Sequence, residues 1–158
     1  MKLNRSLFIL FFSFISACAH PRTNWIQDEN SVAQEQVKKI VLGIYNSIEN
    51  KQLAGLEAQQ LFGPKFTKFD LVGVAKRLDA NETKKTEHNL FSSFSKAKYE
   101  LMDLKVDVFE DVAISTFLLG YNVDMAGKNY KGKARGTLVF VNDGNDWKIT
   151  HEHFSPFF

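Results

Sequence analysis

The sequence predicts an α+β domain with its helices gathered on one face of a strongly curved antiparallel sheet, and three observations carry that prediction. Apolar residues recur at helical spacing only in the first part of the chain. Two-residue alternation takes over from about Tyr99 onward. Turn residues separate the alternating runs, most clearly Glu110-Asp111 and Asp143-Gly144-Asn145. Helices first and strands afterwards segregate the two kinds of element.

Composition sets the outer limits. The 158 residues include 20 Lys+Arg, 18 Asp+Glu and one Cys. That length suits a single domain able to bury a core without disulfide staples. One Cys excludes an intrachain disulfide framework and a multi-Cys zinc site. A formal charge of +2 is too small for a nucleic-acid footprint, so no nucleic-acid partner is expected.

Residues 1–17 read as an export leader. Lys2 and Arg5 precede an apolar run from Leu7 to Phe14, and the small residues Ser16 and Ala17 follow. The stretch is shorter than the ~20 residues that cross a bilayer as a helix. The lone Cys falls directly after it, in Ile15-Ser16-Ala17-Cys18, which resembles the bacterial lipobox. The resemblance implies cleavage before Cys18 and acylation of that residue by a diacylglycerol and a fatty acid such as palmitate. Several acyl chains, each contributing about 0.8 kcal/mol per buried CH₂, make a durable anchor. Ala19 after the Cys resembles the outer-membrane sorting pattern, with the domain facing the periplasm. The alternative is an ordinary secretory signal cut near Ala19 or His20. Residues 18–30 then read as a polar tether, with Trp25 able to dock on the domain.

The domain proper is expected over residues 31–158. Val37, Ile40, Val41, Ile44, Tyr45 and Ile48 form one helical face over 31–50, with Ser31 as N-cap. A short helix over 53–62 stops at Gly63-Pro64, and Phe66 and Phe69 mark a brief extended piece. Asn81 caps a third helix reaching Lys96, whose Lys84, Lys85 and His88 read as a solvated face, with Glu82 and Glu87 nearby leaving no net basic patch. Strands follow at 99–109, 112–124, 130–141 and 146–154. A three-residue turn at 143–145 pairs Trp147 with Val141, Ile149 with Val139, His151 with Thr137 and His153 with Arg135. One sheet face then grades from apolar at the turn to polar at the far end, the lining a tapered pocket needs.

Two stretches resemble the SnoaL-like branch of the nuclear transport factor 2 superfamily. They are Gly132–Val141, with its Arg135-Gly136-Thr137 step, and the ending Asp143-Gly144 … Trp147 … Ile149 … His151-Glu152-His153 … Ser155. The resemblance implies a cone, with helices closing over a bent sheet, and homodimers packed through the sheet. Its members include isomerases, dehydratases, cyclases, ligand carriers and assembly modules, so fold does not settle function.

His151 and His153, about 6.5–7 Å apart along a strand, are the candidate general bases. Arg135, with Thr137 beside it, is the candidate anchor for an anionic group. Tyr45 and Asp70 are candidates for the cavity and its rim. A cation opposite His153 argues against a divalent metal, and neither metal nor cofactor is expected. The expected molecule is therefore a lipid-anchored periplasmic domain that binds a small, partly apolar ligand and pairs as a homodimer. The alternatives are proton-transfer catalysis on a carbonyl or carboxylate substrate, and a non-catalytic assembly module.

Overall fold

The computed structural model describes residues 25–71 and 75–157, with side chains from Asn30 onward. The leader, Cys18 and the docking of the Trp25 side chain lie outside the described residues. Three helices and five strands follow in order: α1 (Trp25–Glu49), α2 (Leu53–Glu57), β1 (Thr67–Phe69), α3 (Ala80–Ser93), β2 (Phe94–Phe109), β3 (Val112–Met125), β4 (Lys128–Asn142) and β5 (Trp147–Pro156). The sheet order is β1-β5-β4-β3-β2. This is the α+β cone expected from the sequence, with two differences in detail.

The first concerns helix starts. α1 begins at Trp25, so Ser31 lies inside it and is not its cap. α3 is capped by Asp79, one turn ahead of Glu82, not by Asn81. Asp79 Oδ1 accepts from the Glu82 N–H at 2.9 Å, and Glu82 Oε2 accepts from the Asp79 N–H at 3.2 Å. This reciprocal box satisfies two otherwise orphaned backbone donors.

The second concerns the sheet. The brief extended piece is a true strand, and it pairs parallel to β5, with Thr67 opposite His151, Lys68 opposite Glu152 and Phe69 opposite His153. The sheet is mixed, not wholly antiparallel. A three-residue strand flanked by loops reveals no partner through its alternation, so the sequence is silent on this pairing.

The long meander β2-β3-β4-β5 is antiparallel. The β3–β4 turn has two residues, Ala126 and Gly127, at φ 49° and 73°, the left-handed pair that matches strand twist. Between β2 and β3 the register slips from Met102 to Lys105, where Asp103 sits at φ 51°. Such bulges bend a strand, and this one helps curl the sheet around α1. Val37, Val41, Ile44 and Tyr45 of α1 are buried against the sheet. Glu49 ties the helix end down: its carboxylate accepts from the Tyr99 N–H and from Lys98 Nζ, both at 2.7 Å. The Lys98 ammonium and the Tyr99 amide hold its carboxyl below the usual range.

Candidate functional site

The last strand decides which residues face inward. Trp147 pairs with Asn142, Lys148 with Val141 and Ile149 with Phe140. The register then shifts: His151 pairs with Val139, Glu152 with Leu138, His153 with Thr137 and Ser155 with Arg135. Thr150 is the extra residue of a β-bulge, and a bulge reverses the alternation of every side chain beyond it. Trp147 and Ile149 are buried before it, and Glu152 is buried after it. On β4 the buried residues are Ala134, Gly136, Leu138 and Phe140.

The expected pocket of His151, His153, Arg135 and Thr137 is therefore corrected: all four occupy the opposite, outer face. Unbroken alternation from a three-residue turn fails here for two reasons. The turn holds four residues, 143–146, braced by Asp143 Oδ1, which accepts from the N–H groups of Asn145 and Asp146 at 3.0 Å. The bulge then adds a second step. It lies where β5 changes edge partner: Ile149 exchanges backbone bonds with Gln59 and Leu61, and β1 takes over at His151.

On that outer face His151 Nδ1 meets Thr67 Oγ1 at 2.7 Å, and the Phe69 ring lies against both imidazoles, with centroids 6.2 and 5.4 Å away. Burial and the neighbouring His153 lower the His151 pKa below the ordinary histidine value. The Arg135 guanidinium stacks over Phe157 at 4.9 Å. It is exposed, so it anchors nothing inside the cone.

Inside the cone is a cavity of about 680 Å³. Its walls are mainly apolar, with Ile44 and Ile48 from α1, Leu90 from α3, and Leu119, Val123 and Leu138 from the sheet. Tyr45, Tyr99 and Tyr121 also line it. Two glycines let the aromatic side chains pack this closely. A Cβ on Gly136 would sit 2.3 Å from the Phe117 ring, and one on Gly132 would sit 2.5 Å from the Tyr121 hydroxyl. Each glycine is the direct cross-strand partner of the aromatic residue that covers it.

Set into this apolar wall is a buried ionic cluster. Lys68 Nζ lies 2.9 Å from Glu87 Oε1 and 3.1 Å from Glu152 Oε2, with Asp70 Oδ2 at 4.0 Å. The side chains of Lys68, Glu87 and Glu152 are 8%, 3% and 5% exposed. The Gln60 amide closes a ring, donating to Glu87 Oε1 at 2.8 Å and to Glu152 Oε1 at 2.7 Å. Burial disfavours the Lys68 charge, but Glu152, Glu87 and Asp70 outweigh it and hold the ammonium above the ordinary lysine range. Burial pushes Glu87 up, against the pull of Lys68 and with the help of Glu152. Burial and Glu152 raise Tyr45 well above a free phenol, and burial with Glu49 and Asp70 pushes Tyr99 up to about 12. Both phenols are protonated donors at neutral pH.

Of the residues expected at the pocket, Tyr45 and Asp70 line it, and Lys68, Glu87 and Glu152 join them unforeseen, with Gln60 bonded to both glutamates. Glu87 does more than offset the charge of the nearby lysines, since it is buried. The signal was present: Thr83, Glu87 and Phe91 fall on one helical stripe, and all three are buried. Lys68 shares its strand parity with Phe66, which is buried as well. Glu152 had no such signal, because the bulge creates its inward aim. Among the described residues, no group of three or more His, Cys, Asp or Glu side chains is arranged to hold a metal ion.

A helix-capped cone with an internal cavity defines the class. The SnoaL-like domain profile matches residues 37–158, and the chain belongs to that family. No curated protein matches. Solved structures share the fold at low identity. A member of the nuclear transport factor 2-like family from Streptomyces avermitilis is 19% identical, with a TM-score of 0.72 over 81% of this chain and 98% of that one. A nuclear transport factor 2-like superfamily protein from Salmonella enterica is 15% identical, with a TM-score of 0.70 over 80% and 92%. A Novosphingobium aromaticivorans protein, provisionally assigned as a scytalone dehydratase, is 12% identical, with a TM-score of 0.72 over 84% and 89%.

Proposed function

We propose that the domain binds a small, partly apolar ligand inside the cone, and that an acylated Cys18 holds it at the outer membrane facing the periplasm. The observation that carries the binding reading is the 680 Å³ cavity itself, apolar on most sides and polar at one cluster, the composition typical of ligand sites. Filling the cavity tests the reading. Leu138→Trp projects an indole into the cavity, and binding of an apolar naphthalene probe should fall at least tenfold; unchanged binding would place the probe elsewhere. For the anchor, Cys18→Ser should release the protein from membranes, and undiminished retention would refute acylation there.

Catalysis is the second reading, favoured by the cluster of titratable groups on the cavity wall. Its acid/base residues would be Glu87, Glu152 or Asp70, in place of His151 and His153, and the dehydratase assignment of a structural neighbour is compatible with that chemistry. Homodimerisation is proposed through the outer sheet face, where Ile114, Leu118, Val139 and Val141 are half-buried and Phe109 is 60% exposed. Leu118→Lys should turn a dimer into a monomer in sedimentation; a monomeric parent protein would remove the proposal.

A further inference from the structure

The ring of Lys68, Glu87, Glu152 and Gln60 has an uneven set of hydrogen bonds, and that unevenness says where a proton sits. Both oxygens of Glu152 have a partner: Oε1 accepts a hydrogen bond from Gln60 at 2.7 Å, and Oε2 is ion-paired with Lys68 Nζ at 3.1 Å. Glu87 takes both of its bonds on one oxygen, Oε1, from Lys68 at 2.9 Å and Gln60 at 2.8 Å. Its Oε2 is buried with no partner. Two ionised carboxylates around one ammonium would leave a net negative charge among groups less than a tenth exposed, a costly state with Asp70 adding a further carboxylate at 4.0 Å. One proton removes that excess. Each oxygen of Glu152 already faces a donor, so the vacant oxygen of Glu87 is the place for it.

We propose that Glu87 is a neutral carboxylic acid whose Oε2–H donates a hydrogen bond to a carbonyl or hydroxyl oxygen of the ligand, so that the cavity selects uncharged, oxygen-bearing apolar molecules over carboxylates. The inference rests on the cavity being the binding site. Glu87 stands in the cavity wall, and its Oε2 has no hydrogen-bond partner among the described residues. The groups around it are consistent with a donor. Lys68 and Asp70 lie on and just after β1, Glu152 lies on β5, and Thr83 sits one turn back on the same helix. Tyr45 and Tyr99 present phenols from α1 and β2. Burial raises the Glu87 pKa in the direction required. A carboxylate ligand would bring a further negative charge to Glu152 and Asp70, with only Lys68 to offset it, and Lys68 is already ion-paired with both glutamates.

The test uses matched two-ring probes on the full chain carrying Cys18→Ser, so that no acyl group competes for the cavity. 2-Ethylnaphthalene, 2-acetylnaphthalene and 2-naphthoate are titrated by calorimetry at pH 7 and pH 9. The ketone should bind about tenfold tighter than the hydrocarbon, the gain of one buried hydrogen bond, and tighter than the carboxylate. That preference should shrink at pH 9 as Glu87 ionises. In Glu87→Gln, whose amide keeps a donor without a titrating proton, it should persist at both pH values. Equal affinity for ketone and hydrocarbon, the result if the Glu87 O–H is taken by the unpartnered Gln60 Oε1, overturns the inference and leaves the cavity reading intact. Tighter binding of naphthoate also overturns it. Failure of all three probes to bind overturns both. Infrared spectroscopy of the Cys18→Ser chain before any substitution at Glu87 gives an independent check should Glu87→Gln fail to fold. A neutral carboxylic-acid carbonyl band at pH 7 that disappears at alkaline pH supports the assignment, and its absence at pH 7 contradicts it.

Discussion

The two faces of β5 differ by a single inserted residue. Inward, Glu152 joins Lys68 and Glu87 in a dry cluster at the wall of an apolar cavity. Outward, His151 and His153 lie under Phe69 on the open side of the sheet. Judged by residue type, the histidines are the obvious chemical groups and the glutamate between them is filler. The bulge at Thr150 inverts that ranking. What a side chain can do here depends first on whether water reaches it, and only then on its functional group.

Breaking the cluster should cost the most. Lys68→Met removes the ammonium paired with the buried Glu152 carboxylate, so stability at neutral pH should fall by about 3–5 kcal/mol. Urea unfolding would show it. A loss below about 1 kcal/mol at neutral pH would mean that the cluster is not buried as described. Gly136→Val comes next. It drives a side chain into the Phe117 ring, and an overpacked core costs about 1–3 kcal/mol. The same substitution should perturb probe binding, because Phe117 packs edge-on against Tyr45, with centroids 5.8 Å apart.

Acid and base should then separate the faces by sign. His151 has a folded pKa below its unfolded 6.5, so the native state binds fewer protons and stability drops as pH falls through that window. Glu87 has a folded pKa above 4.5, so the native state binds more protons and stability drops as pH rises through its window. Replacing His151 by Gln should flatten the acid-side decline, and Glu87→Gln should flatten the other. Unfolding curves across pH 4–9 would read both, and matching slopes in the two variants would break the comparison. The smallest effect belongs to His153→Ala. An exposed residue with no hydrogen bond to lose should change stability by less than about 0.5 kcal/mol and leave probe affinity unaltered.

Much of the cone was readable before any coordinates. The apolar stripe of α1, the alternation of β2 through β5 and the ending from Asp143 to Ser155 each point to the same architecture, because local periodicity and burial agree in those segments. Legibility stopped where pairing is non-local or irregular. β1 has three residues, and its partner is some eighty positions away. Thr150 has nothing in its identity that marks it as a bulge, yet it relocates every candidate beyond it. Glu87 was legible and overlooked: a charged residue on an otherwise apolar stripe signals a buried partner, and Lys68, with its own inward parity, supplied one. Tyr45 could be placed from the sequence because its helix is regular throughout.

The central claim is that the interior of the cone, and not the histidine face, receives the ligand. Backbone and side-chain chemical shifts, followed as 2-acetylnaphthalene is added to the Cys18→Ser chain, test it most directly. The largest changes should map to Tyr45, Lys68, Glu87, Tyr99 and Leu138, with His153 and Arg135 still. Changes concentrated at His151, His153 and Arg135, with the cavity residues silent, would contradict the account.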